Sequence, residues 1–140
     1  MGSVRRVLVL CCTAIVLVGL VSGCQASAQE EERAALDEAI HSVEHEFASF
    51  YLLGPEATTA DVRSVTERLS SRWKGVEQAA EGVEGMDIAD AVAAHQDLID
   101  AVEALPEDTE TGEPMQTVMP LFEAFKAKVE EVHESGHFHD

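Results

Sequence analysis

Histidine is the side chain best suited to ligating a metal or moving a proton near neutral pH, and this 140-residue chain carries six of them. Their spacing sorts them into three groups. His41 and His45 stand four residues apart, about one helical turn, with Glu44 beside them, and two imidazoles at that spacing can chelate a divalent transition metal. His133, His137, His139 and Asp140 form a denser C-terminal group, and Ser135-Gly136 frees that tail from helical geometry so that its rings can converge. His95 stands alone within an apolar stripe.

The elements that must position these residues are helical. From about Glu31 to Leu53 the apolar residues Leu36, Ile40, Val43, Phe47 and Phe50 recur at spacings of three and four, and Gly54-Pro55 stops the run. Thr58 is a candidate N-cap for a second helix bearing Val62, Val65, Leu69, Trp73, Val76, Ala80 and Val83. Asp87 is expected to cap a third, with Ile88, Val92, His95, Ile99 and Val102 in register up to Pro106. Because proline is tolerated only in a first turn, Pro120 places the start of a fourth helix near Thr117, with Leu121, Phe122, Phe125, Val129 and Val132 inward. No run alternates as a strand does. The expected fold is all-α, an up-down-up-down four-helix bundle over residues 32–134, with a three-helix bundle and a loose first helix as the alternative.

Placing the histidines on these helices narrows their chemistry. The strings Glu38 to His41 and Glu130 to His133 are similar to the Glu-x-x-His ligands of di-iron bundles. At about 100° per residue, however, His41 falls about 130° from the apolar centre of its helix, and Glu38 and His45 about 160–170° away, all towards solvent. By rise per residue His41 also stands about 15 Å above the end where the C-terminal tail emerges, which separates the two histidine groups. His95 reads as a buried neutral ring with the Trp73 indole N–H as its partner. No Gly-x-Ser-x-Gly elbow, phosphate-binding glycine loop or His-Glu-x-x-His string is present, and the chain is expected not to be an enzyme.

The first 24 residues differ from the rest. Arg5 and Arg6 precede 15 uncharged residues, Val7 to Val21, and then Ser22, Gly23 and Cys24, the order of parts in an export signal, with an apolar run shorter than the ~20 residues of a spanning helix. Val21-Ser22-Gly23-Cys24 resembles the lipobox of bacterial lipoprotein precursors. That resemblance implies that the Cys24 thiol receives a diacylglycerol, that signal peptidase II cuts before it, and that the mature protein is exported and anchored to the membrane, the outer membrane in a two-membrane bacterium being compatible with Gln25. Residues 1–23 are then the signal peptide, 24–31 a lipidated cysteine and acidic tether, and 135–140 a histidine-containing tail. Cys11 and Cys12 lie in the discarded segment, so no thiol remains for a disulfide or a thiolate metal site.

Removing the signal peptide sharpens the charge. Residues 1–23 hold two arginines and no acid, so the remaining 117 residues carry all 27 acidic side chains against 7 basic ones, a net −20. Such a balance argues against a nucleic-acid partner, which requires clustered Lys and Arg. The far tip of the bundle is expected to gather Phe50, Tyr51, Leu52, Leu53, Leu105 and Met119, and an exposed apolar cap there would suit an envelope protein partner. Two functions follow. One is a non-catalytic envelope lipoprotein acting as a protein-interaction or support module without a cofactor; the other is a metal-binding or metal-sensing lipoprotein using the histidine tail, with His41 and His45 as further ligands.

Overall fold

The computed structural model describes the backbone of residues 3–107 and 112–136, and the side chains of 25–107 and 112–136. The described residues form four helices, α1 (Ser3–Tyr51), α2 (Thr59–Gly82), α3 (Ala89–Glu103) and α4 (Glu113–Gly136), and no strand. The molecule is an all-α four-helix bundle, as the spacing of its apolar residues predicts.

Local chemistry accounts for most helix ends. Thr58 caps α2 through a capping box: its Oγ1 accepts the Asp61 N–H, and the Asp61 carboxylate accepts the Thr58 N–H at 2.9 Å. The Thr58 hydroxyl, donating to the Asp61 carboxylate at 2.7 Å, and secondarily the Thr58 N–H hold that carboxyl below its usual range. Asp87 lies one residue outside the cap position of α3, where Ile88 sits, but its carboxylate still accepts the Ala89 N–H at 3.0 Å.

Two boundaries differ from expectation. Helix α4 starts at Glu113, four residues earlier than Thr117, with Pro114 in its first turn and Pro120 within it. Gly112, at φ +90°, turns the chain into this earlier start, and its carbonyl accepts the Gln116 N–H at 3.3 Å. Helix α1 runs through residues 25–31, which the sequence presents as a tether. That stretch lacks glycine and proline, and its Ala, Gln and Glu are strong helix formers. Gln29 ties it to the end of α2 by donating to the Gly82 carbonyl at 3.4 Å and accepting the Glu84 N–H at 3.2 Å.

The core is one continuous cluster. Leu36, Ile40, Val43, Phe47 and Phe50 of α1 and Val62, Val65, Leu69, Trp73, Val76 and Ala80 of α2 are buried as their spacing requires. Phe50 stacks on Phe122 with ring centroids 4.1 Å apart, and Trp73 meets Phe125 edge to face at 5.1 Å. On α3 the buried stripe is Ala91, Leu98 and Val102, continued by Leu105 beyond the helix, while Val92, expected inward, is exposed. The expected and observed stripes share Val102, and His95 and Ile99 are half-buried. Burial of Leu98 and Leu105 decides between them.

Two ends can be traced through side chains. The Gly112 N–H donates to the Ala57 carbonyl, Thr59 Oγ1 to the Pro106 carbonyl at 2.8 Å, and Arg63 to the Leu105 carbonyl at 2.9 Å, so the α1–α2 and α3–α4 connections meet. At the other end Ser135 of α4 touches Met86 between α2 and α3. Among the described residues no helix is long and apolar enough to cross a membrane.

Candidate metal centre

Asp37, His41 and Glu44 lie at successive turns of α1, each next to a buried residue of the core stripe, Leu36, Ile40 and Val43. They therefore occupy the flank of the core face rather than the opposite side of the helix. Helix α4 lies along that flank, and His133, in its last turn, reaches across. One ring nitrogen, Nδ1, is 3.0 Å from Glu44 Oε1, and the other, Nε2, is 3.1 Å from Asp37 Oδ1. His41 Nδ1 is 2.8 Å from the Asp37 carbonyl, the geometry of an N–H donated one turn back along the helix.

The result is a convergence of donors that the sequence analysis kept apart. One ligand atom each from Asp37, His41 and His133 lies within 4.8 Å of the other two. His41 lies against His133, their ring centroids 5.1 Å apart. Its side chain is 60% exposed, but its flank is the one α4 covers, and α4 is set far enough along α1 to bring His133 level with Asp37 and Glu44. Asp37, which no motif singled out, completes the group; its signal is the i to i+4 step to His41.

The donor set is two imidazoles and one carboxylate, the chemistry of zinc, nickel, copper and ferrous sites. Four ligands at ~2.1 Å from an ion stand about 3.3 Å from one another. Asp37 and His133 already place donor atoms 3.1 Å apart, so closing the group on an ion draws the His41 nitrogen in by at most about 1.5 Å, which its exposed ring can supply by rotation. His133, with 22% of its side chain exposed, is the more fixed of the two rings. The Asp37 carbonyl and carboxylate raise the His41 pKa above its ordinary value. A cavity of about 240 Å³ opens beside the cluster, lined by Arg33, Ala34, Leu36, Ile40 and Gly136 as well as by Asp37 and His133.

The other candidates fall elsewhere. His45 is exposed and lies outside this group. His137, His139 and Asp140 lie outside the described residues, as does the side chain of Cys24. His95 is half-buried rather than buried, and its partner is Ser70 Oγ at 3.0 Å and not the Trp73 indole, whose buried N–H meets no partner among the described residues. Burial, and secondarily the Lys74 charge, pushes the His95 pKa down to about 4, so the ring is neutral at physiological pH.

At the far tip the apolar cap is largely closed. Phe50 and Leu105 are buried, and Leu53 and Met119 pack half-buried against the core. Tyr51, 48% exposed, donates its hydroxyl proton to Glu123 at 2.6 Å, and Leu52 beside it is 84% exposed.

No family model matches the chain, and no curated protein or solved structure is significantly similar to it.

Proposed function

We propose that this chain is an exported, lipid-anchored cell-envelope protein whose acidic bundle, running up-down-up-down, binds a divalent transition-metal ion between its first and last helices. The observation that carries the reading is the convergence of Asp37, His41 and His133. Three protein ligands leave a coordination position open, and the adjacent cavity gives that position access to solvent. Such a site exchanges its ion, as capture or sensing requires, whereas a permanent structural zinc site is closed by four protein ligands. The surplus of acidic side chains raises the local concentration of cations around it.

Equilibrium dialysis of the full-length chain against zinc, nickel and copper tests the metal site. Binding at micromolar or tighter concentration that disappears in His133→Ala is the expected result; no binding above a buffer control removes the proposal. The anchor has a separate test. Cys24→Ser abolishes labelling by palmitate and leaves an unprocessed precursor, and unchanged processing would overturn the lipoprotein assignment. A second reading, a protein-interaction module, is favoured by the exposed Leu52 at the opposite tip.

A further inference from the structure

We propose that Glu44 is the positioning residue of this site, fixing His133 so that Nε2, and not Nδ1, meets the metal; the inference rests on the metal reading above. The two nitrogens of an imidazole point in different directions, and here each faces its own carboxylate. Nε2 faces Asp37 at 3.1 Å, inside the converging group, whereas Nδ1 faces Glu44 at 3.0 Å. Glu44 contributes no atom to that group, which consists of Asp37, His41 and His133. A neutral imidazole carries one N–H, and once an ion held by Asp37 and His41 takes Nε2 the proton is left on Nδ1, where the Glu44 carboxylate accepts it. That leaves the Nε2 lone pair directed at the space shared with Asp37 and His41. Carboxylate, imidazole and metal then form the relay in which an outer carboxylate sets ring orientation and raises ligand basicity.

The placement of Glu44 makes this role independent of the ligands. It lies seven residues beyond Asp37 on the same flank of α1, so the helix holds the orienting carboxylate and the ligating one about 10 Å apart along its axis, on either side of the ring. With Glu44 truncated, the His133 ring can turn over and present either nitrogen, and part of the population no longer offers Nε2.

The experiment uses the full-length chain and three proteins, wild type, Glu44→Gln and Glu44→Ala, titrated with zinc and with cobalt(II). The His133 imidazole ¹⁵N shifts report which nitrogen is metal-bound. In the wild type, zinc is expected at Nε2 with Nδ1 protonated. Glu44→Ala is expected to weaken zinc binding about 10–100-fold and to lose the single-tautomer signature. Glu44→Gln, whose amide oxygen still accepts from Nδ1–H, is expected to recover the signature and most of the affinity. Equal affinity and unchanged ¹⁵N shifts in Glu44→Ala overturn the inference while leaving the metal site intact. A changed cobalt absorption spectrum in Glu44→Gln overturns it differently, by making Glu44 a ligand. Absence of any zinc-induced ¹⁵N shift in the wild type defeats the metal reading itself, and this inference with it. Circular dichroism of the two variants separates loss of positioning from loss of fold.

Discussion

The rings of His41 and His133 meet edge to face, 5.1 Å between centroids and 76° between planes, although one belongs to the first helix and the other to the last. An ion held between them links the two ends of the described bundle. Zinc at a hundredfold excess over its Kd should add about 2.7 kcal/mol to stability by mass action, seen as a rise in Tm that a chelator reverses. His41→Ala and Asp37→Ala should each reduce that rise, and His45→Ala should leave it unchanged. An equal loss in His45→Ala would place the ion elsewhere.

Acid should weaken the fold through His95. Its folded pKa of about 4 lies below the ordinary 6.5, so the native state prefers the neutral ring. The stability this contributes is complete above pH ~6.5 and is lost progressively as pH falls towards 4; because the ring is only half-buried, solvent screening keeps the loss below about 3 kcal/mol. His95→Gln keeps a polar partner for Ser70 but cannot protonate. Urea unfolding between pH 7 and 4.5 should fall less steeply in that variant than in the wild type, and parallel curves would remove His95 as the cause.

Gly112 is the turn that admits the early start of α4. Its φ of +90° is unfavourable for any residue with a side chain, and a Cβ there would stand 2.5 Å from the Pro55 carbonyl oxygen. Gly112→Ala should therefore cost about 1–3 kcal/mol. At Gly54, with φ +67° and open space around it, alanine should cost only about 1–2 kcal/mol, the penalty of the left-handed backbone alone. Thermal unfolding of the pair separates steric from conformational cost, and equal losses would remove the Pro55 contact from the account.

The tip supplies a control and a test together. Leu52→Asp should change stability by no more than about 0.5 kcal/mol, since the side chain is exposed, whereas Phe50→Ala should cost about 3–5 kcal/mol through the lost contact with Phe122. If Leu52 belongs to a partner site, Leu52→Asp should also reduce the envelope proteins cross-linked to the chain. Unchanged cross-linking would end the interaction reading at this position.

The bundle was legible in the sequence because apolar spacing reports directly on burial, and the α1 and α2 stripes are buried residue for residue. Helix α3 was harder, since Ile99 and Leu98 are adjacent and both apolar, and only contact with the neighbouring helices chooses the inward one. Pro120 misplaced the start of α4 because the rule that confines proline to a first turn is weaker than the turn at Gly112 and the burial of Met115 and Val118. The metal centre was half legible. The rotation of His41 away from the core centre was sound, but a flank position can face a neighbouring helix as well as water, and the offset of α4 along α1 is written in no single segment.

Helix α1 continues without interruption from the Cys24 region into the core. A flexible leash transmits only distance, but a helix also transmits an angle, because each residue turns the chain by about 100°. On the anchored reading, the number of residues between Cys24 and Leu36 thus sets a compass bearing, the direction in which the Asp37, His41 and His133 edge looks as it stands over the bilayer. One alanine inserted after Ala28 would swing that bearing by about 100° while raising the bundle only about 1.5 Å. Four would bring it back to within about 40°.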